Sequence, residues 1–254
     1  MNENDVEGGT TRVRPPVIAH QHFQEQKEQM RGLNLEGIFT TIYQTNLWGG
    51  EESRSGSGSA LIQTERLRVA LPKLLTELRA MSLLDIPCGD FGWMSQVDLK
   101  VDYIGADIVA ELVARNNTRY ATVGSPRRFL QLDLTRDDLP RMDVVLCRDC
   151  LVHLSYPNIF QALANVRRSG AGYLLTTTFI EHDRNQDIED GDWRLLNLQR
   201  PPFDLPQPLT LIVEECTEEQ GAYADKALGL WRVADLPEVD LTYLLPTPYF
   251  RRRC

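Results

Sequence analysis

Between Leu83 and Trp93 the sequence passes from a short apolar segment, Leu83-Leu84-Asp85-Ile86, into Pro87-Cys88-Gly89-Asp90-Phe91-Gly92-Trp93, a tight turn holding two glycines. An apolar strand that meets an acid and feeds a glycine turn is how an open α/β sheet makes a nucleotide-sized crevice at the carboxyl edge of its strands. Two further apolar runs deliver acids in the same way, Tyr103-Ile104-Gly105-Ala106-Asp107-Ile108 and Phe129-Leu130-Gln131-Leu132-Asp133-Leu134. An acid about 20 residues beyond the first turn suits a ribose, whose two adjacent hydroxyls match one bidentate carboxylate. Three strand ends bringing three acids to one edge form a constellation.

The alternation continues along the chain. Strands are expected at 82–86, 103–108, 128–134, 142–147, 172–179, 209–214 and 228–233. Helices are expected at 109–116 and 157–168, the second with Pro157 in its first turn and Ile159, Phe160, Leu163 and Val166 on one face. Near-continuously apolar strands alternating with helices indicate a parallel sheet covered on both faces. The last two strands are separated by a connection compatible with a hairpin, which puts an antiparallel strand at or near an edge. Residues 180–208 are rich in Asp, Asn, Pro and Trp and too long for an ordinary connection, the profile of a lid or binding loop.

The N-terminal third reads differently. Residues 1–30 are polar and read as a mobile arm. Residues 31–80 form a helical cap, with helices expected over 32–48 and 64–78. Between them lies Trp48-Gly49-Gly50-Glu51-Glu52-Ser53-Arg54-Ser55-Gly56-Ser57-Gly58-Ser59, either a flexible linker or a loop whose backbone N–H groups hold a carboxylate. Residues 81–254 form the main α/β domain, with 180–208 as its acceptor loop.

A formal charge of −9 argues against a nucleic-acid binder, which needs a basic field. The Arg251-Arg252-Arg253 run reads as solvated charge. No apolar N-terminal core marks a secretory signal, and no stretch approaches the ~20 apolar residues of a membrane helix, so a cytoplasmic protein without membrane contact is expected. The cysteines, Cys88, Cys147, Cys150, Cys216 and Cys254, are an odd, irregular set and read as reduced thiols. Cys147-Arg148-Asp149-Cys150 lacks the second pair that a zinc site requires and reads as a buried structural pair.

A dinucleotide site wants three glycines, so that the backbone approaches the pyrophosphate without Cβ atoms. Here Asp90 stands inside the turn and would repel pyrophosphate. The same carboxylate suits S-adenosylmethionine, which carries a sulfonium, an amino group, a ribose diol and an adenine, and no phosphate. At this point the chain resembles the class I S-adenosylmethionine-dependent methyltransferases. Leu84-Asp85-Ile86-Pro87-Cys88-Gly89-Asp90 is close to their first motif, with Phe91 where a second glycine is usual. The later motifs end in Asp107, in Asp133-Leu134 and in Cys147-Arg148-Asp149. The resemblance covers roughly residues 80–235 and implies a Rossmann-like, mostly parallel seven-stranded sheet with an antiparallel last strand, here with an N-terminal helical extension. A narrower resemblance, to a bacterial and viral subgroup that includes glycan sugar O-methyltransferases, rests on Trp48-Gly49, Ser55-Gly56, Pro87 to Trp93, Arg148 to Leu154, Trp193 to Leu198 and Asp225 to Trp231.

The resemblance implies that Asp85, Gly89 and Asp90 approach the methionine half, with Pro87 and Cys88 in the same turn. It implies that Asp107 binds the ribose diol, Ile108 packs on adenine, and Asp133 accepts from the adenine amino group beside Leu134. Trp48, Ser55, Gly56, Trp93 and Arg148 complete the expected cofactor contacts. For an alcohol acceptor, which must lose a proton as the bond forms, His153 is the leading base. Asp149, four residues before it, either orients the imidazole on a shared helix face or is itself the base. No metal is expected, although Asp149 and His153, joined by His182 or Asp183, form an alternative divalent-ion set. Asn185, Asp187, Trp193, Arg194 and Asn197 have the profile of a polyol site or of a packed loop. The expected activity is O-methylation of a sugar, glycan or hydroxylated small metabolite. A NAD-type oxidoreductase and a methyltransferase-like binding protein without catalysis are the rivals, and a homodimer is left open.

Overall fold

The computed structural model describes residues 14–121 and 127–238. The Arg251-Arg252-Arg253 run, Cys254 and the first 13 residues of the expected arm lie outside them. The strands are β1 (Ser82–Asp85), β2 (Asp102–Asp107), β3 (Arg127–Gln131), β4 (Val144–Cys147), β5 (Tyr173–Phe179), β6 (Thr210–Val213) and β7 (Lys226–Arg232). They form one seven-stranded sheet in the order β3-β2-β1-β4-β5-β7-β6. β7 runs antiparallel to both of its neighbours, and the remaining pairings are parallel. The chain order reverses beside β1, which opens a crevice at the carboxyl ends of β1, β2 and β4. The architecture is Rossmann-like, and the expected edge hairpin is β6–β7.

Among the described residues the helices of eight or more residues are α1 (Ile18–Gln26), α2 (Leu35–Thr45), α3 (Glu65–Glu77), α4 (Ala110–Tyr120) and α5 (Tyr156–Arg168). Neighbouring strand residues point to opposite faces and fill two separate cores. Leu84, Ile104, Val145 and Leu174 pack on one side with Ile159, Leu163 and Val166 of α5. Leu83, Tyr103, Val144 and Leu175 pack on the other with Leu67, Leu71 and Leu75 of α3. α2 starts where the Asn34 side chain accepts from Gly37 N–H at 2.9 Å and ends at Asn46 in a left-handed conformation. Tyr43 of α2 packs on Val109 and Leu112, which seats this helix over the end of β2.

Residues 14–30 depart from the expected arm. They hold α1 and a short 3-10 turn, and Phe23 and Met30 are buried against Ile42 and Leu47. The polar composition concealed this because only Phe23 of α1 is buried. Residues 180–208 contain no helix or strand, as expected, yet Leu196, Leu198, Phe203 and Leu205 anchor them in the core. Among the described residues no helix is long and apolar enough to cross a membrane.

Candidate functional site

The turn after β1 is built around two left-handed residues, Gly89 (φ 53°) and Phe91 (φ 59°). A Cβ on Gly89 would lie 2.3 Å from Ser55 Oγ, so only glycine lets the Gly/Ser loop come this close. Ser55 Oγ in turn accepts from Asp90 N–H at 3.1 Å and ties the two loops together. Phe91 occupies the place of the missing glycine in a strained conformation. Its fully buried ring offsets that strain by packing on Tyr103, Tyr120 and Phe129, with centroids 4.9–5.2 Å away.

Above this turn lies a cleft of about 1040 Å³, open solvent at its mouth included. It is lined by Trp48, Ser55, Asp85, Pro87, Cys88, Gly89, Asp90, Trp93, Asp107, Ile108, Asp133, Leu134, Arg148, Asp149 and His153. Every residue expected as a cofactor contact or base except Gly56 therefore meets in one cavity. Gly56 (φ 96°) instead turns the chain beneath Trp48 and lines a second cavity of about 700 Å³. Trp48, Ser55, Asp149 and His153 line both cavities and form the wall between them. The sequence did not point to Leu35, Phe39 and Tyr43 of α2 as the cleft's apolar roof. Their helical spacing was visible, but the surface they would cover was not.

The three strand-end acids differ in what already occupies them. Asp85 is buried and accepts from Tyr103 Oη at 2.6 Å; burial raises its pKa to about 7, although Tyr103 and Arg148 oppose the rise. Asp107 accepts from Gly89 N–H (3.1 Å) and Val109 N–H (2.9 Å); burial raises it to about 6 against these bonds. Asp133 Oδ1 accepts from the N–H and Oγ1 of Thr135, and Oδ2 pairs with Arg136 Nε at 3.0 Å. Asp107 and Asp133 thus also shape strand-end turns, and the remaining lone pairs of their carboxylates are what they offer the cleft.

His153 and Asp149 are not arranged as expected. Asp149 takes a left-handed φ of 50°, and only a 3-10 turn, Leu151–His153, follows it, so the two never share a helix face. Asp149 Oδ2 instead accepts from Lys226 Nζ at 2.6 Å and pairs with Arg148 at 3.2 Å. Burial pushes this carboxyl up, but Arg148 and Lys226 together hold it well below the usual carboxylate range. A carboxylate so stabilised stays ionised near neutrality, and with Oδ2 engaged by Lys226 and Arg148 its place in the site is that of a fixed negative charge. Arg148 Nη2 donates to Gly58 O (2.8 Å) and to Glu214 (2.7 Å), while its guanidinium lies 5.6 Å from the Trp93 ring. Arg148 thus ties this buried cluster to the cleft it lines, and its Nε is a buried donor without a partner among the described residues. Glu214 and Lys226 were missed as members; the one signal was a lysine opening a strand whose next five residues carry no charge.

The partner of His153 comes from the long loop: its Nδ1 lies 2.8 Å from the backbone carbonyl of Asp192. A carbonyl only accepts, so Nδ1 carries the proton and Nε2 keeps its lone pair. The imidazole stacks on Trp48 at 4.4 Å. Burial lowers its pKa to about 4, against the favourable pull of the Asp192 carbonyl and of Asp149, so the ring is neutral at physiological pH.

The polyol constellation resolves into packing. Asn185 donates to the carbonyls of Asn197, Arg200 and Pro201, and Asn197 to that of His182. Arg194 donates to the carbonyls of Leu151 and Leu154, and Asp187 caps α5 at Tyr156 N–H. Trp193 alone of the five lines the second cavity, beside Phe179, Tyr223 and Lys226. The alternative metal set is not assembled either: His182 and Asp183 line a different cavity, and Asp183 faces Arg200 at 3.7 Å. Among the described residues no three His, Cys, Asp or Glu side chains are grouped to hold a metal. Cys147 is buried and Cys150 half-buried, both as free thiols.

Neither a family model nor a curated protein matches the sequence. Similar solved structures include the methyltransferase domain of bacterial CtHen1-C, at 15% identity over 47% of this chain and 66% of that one, with a TM-score of 0.41. Another is SAM-bound CalS10, an amino pentose methyltransferase from Micromonospora echinaspora, at 20% identity over 47% and 51%, with a TM-score of 0.39. A third is the magnesium protoporphyrin IX methyltransferase ChlM of Synechocystis PCC 6803 with bound SAH, at 13% identity over 65% and 72%, with a TM-score of 0.41. The present chain spans slightly less than two thirds of the length of the CtHen1-C domain.

Proposed function

We propose that this chain is a class I S-adenosylmethionine-dependent methyltransferase that methylates an oxygen of a sugar or another hydroxylated small molecule. The observation that carries this reading is the cleft that gathers Asp85, Asp107 and Asp133 from three strand ends and shares a wall, Trp48 and His153, with a second cavity. The donor set fits the cofactor. Asp85 and Asp90 offer carboxylates to a cationic amino-acid end, Asp107 to a diol, and Ile108, Leu112 and Leu134 an apolar slot for an adenine ring. Trp48 Nε1 is a buried donor without a partner among the described residues, free for an acceptor atom.

S-adenosylmethionine, when bound, supplies a methyl group already activated on a sulfonium. The chain's own work is alignment and proton removal. The second cavity holds the acceptor hydroxyl, and His153 Nε2 takes its proton. A base this weak is adequate because the hydroxyl becomes strongly acidic as its oxygen gains the methyl. Asp149 then favours the imidazolium by its charge. Titration calorimetry on the full chain tests the cofactor: S-adenosylmethionine and S-adenosylhomocysteine bind and NAD does not. Folded protein that binds neither adenosyl compound refutes the reading.

A further inference from the structure

The N-terminal helix grips both members of the Trp48–His153 stack. On the His153 side, the Asp192 carbonyl that accepts from Nδ1 belongs to a residue whose carboxylate is tied to α1. Asp192 Oδ1 takes His20 Nδ1 at 2.8 Å, and Oδ2 takes Gln24 Nε2 at 2.8 Å. His20 and Gln24 are four residues apart and so share one helix face. On the Trp48 side, His22 Nδ1 bonds the carbonyl of Leu47 at 2.7 Å, one residue before the indole. Gly191, beside Asp192, is pressed into the same helices: a Cβ there would lie 2.7 Å from Ile38 and 3.1 Å from Phe23. Its N–H donates to the His153 carbonyl at 2.8 Å, which joins this stretch of the loop to the His153 backbone.

α1 also reaches the second cavity directly, where Val17, Ile18 and Ala19 line one side. Arg14 pairs with Asp225, and Tyr223 Oη donates to the Pro15 carbonyl, which fastens the segment leading into the helix. Among the described residues, the cofactor cleft by contrast takes no lining from before Leu35. One cavity is built with this segment and the other without it.

We infer that Asp192, held by His20 and Gln24 of α1, is the positioning residue that fixes the tautomer and orientation of His153, so that the acceptor half of the site is complete only when α1 is docked. This rests on the methyltransferase reading for the word acceptor, but the coupling itself is a property of the chain. A carboxylate tied at both oxygens holds its own backbone carbonyl in place. When the tie is lost the carbonyl moves, and Nδ1 loses the acceptor that keeps the proton there.

The test is the His20→Ala/Gln24→Ala variant of the full chain, examined by side-chain 15N NMR of His153 and by calorimetry with S-adenosylhomocysteine. His153 is identified by loss of its signal in His153→Ala. Wild-type His153 shows a single Nδ1–H tautomer. The double variant shows a second, Nε2–H population, with cofactor affinity changed less than about twofold. His20→Asn with Gln24 intact, which keeps a donor near the Nδ1 position, restores the wild-type spectrum. An unchanged His153 spectrum in the double variant overturns the inference. So does loss of cofactor affinity in step with the spectral change, which marks general loosening. If the double variant fails to fold, Gln24→Ala alone decides by the same spectral criterion. Failure of the wild type to bind S-adenosylhomocysteine refutes the proposed function, while the spectra still decide the coupling.

Discussion

A buried imidazole bonded through Nδ1 to a carbonyl presents its other nitrogen as an acceptor at any pH above its own titration. For His153 that threshold is about 4. His153→Ala is expected to lower turnover by about 10²- to 10⁴-fold, the usual contribution of a positioned base, with S-adenosylmethionine affinity largely retained. Steady-state kinetics and calorimetry on the same preparation check both parts, and near-normal turnover removes His153 from the role. The acids of the cleft behave oppositely. Burial leaves Asp85 titrating near 7 and Asp107 near 6, so both hold a share of proton just below neutrality. A cation beside a carboxylate lowers its pKa, so cofactor binding at pH 6–7 should release protons, and affinity should rise with pH through that window. Calorimetry in buffers of different ionisation enthalpy measures this release, and its absence separates Asp85 from the cationic end of the ligand and Asp107 from its diol.

At the scale of elements, the end of β4 is held to β7 by ions rather than by apolar contact. Arg148, Asp149, Glu214 and Lys226 are joined by charge pairs of 2.6–3.6 Å. Arg148, Glu214 and Lys226 are buried. Such a network is weak evidence of net stability, yet removing one member leaves the others uncompensated in a poorly solvated place. Lys226→Met should therefore cost about 3–5 kcal/mol in denaturant unfolding. Adding Asp149→Asn should recover part of that loss, since the two side chains are in direct contact. Strictly additive losses would mean that the pair at 2.6 Å contributes no coupling. The network was not legible in the sequence because Lys226 and Asp149 lie 77 positions apart. The four-residue spacing of Asp149 and His153 was legible but misleading. It implies a shared face only in an α-helix, and the left-handed backbone at Asp149 prevents one.

For the molecule as a whole, the cleft makes stability depend on pH in two directions. The folded pKa of His153, about 4, lies below the unfolded value of 6.5, so the unfolded chain binds the proton first. That contribution is present above pH 6.5 and is lost as pH falls toward 4, by about 3 kcal/mol at most. Asp85 and Asp107 have folded values above the unfolded 3.8, so the folded chain holds more protons between about 4 and 7. Their burial favours the fold at acid pH and progressively less as pH rises through 6–7. Denaturant unfolding from pH 4 to 8 should show the acid loss shrink in His153→Gln, whatever its absolute stability. An unchanged slope would mean that His153 is hydrated.

The sequence by itself determined the sheet, the turn after β1 and the three acids at one edge. Strand burial has a period of two, and the glycine turn is chosen by local backbone sterics, so neighbours along the chain suffice to specify them. Phe91 shows the limit of that rule: its left-handed backbone runs against local preference and is held by an aromatic cluster drawn from three other elements. Only the tertiary structure decided which groups face one another across the wall between the two cavities. Asp192 reached His153, Lys226 reached Asp149, and a polar N-terminal helix became part of the site. These contacts join residues far apart in the chain, where each side chain has many polar partners available and packing selects one.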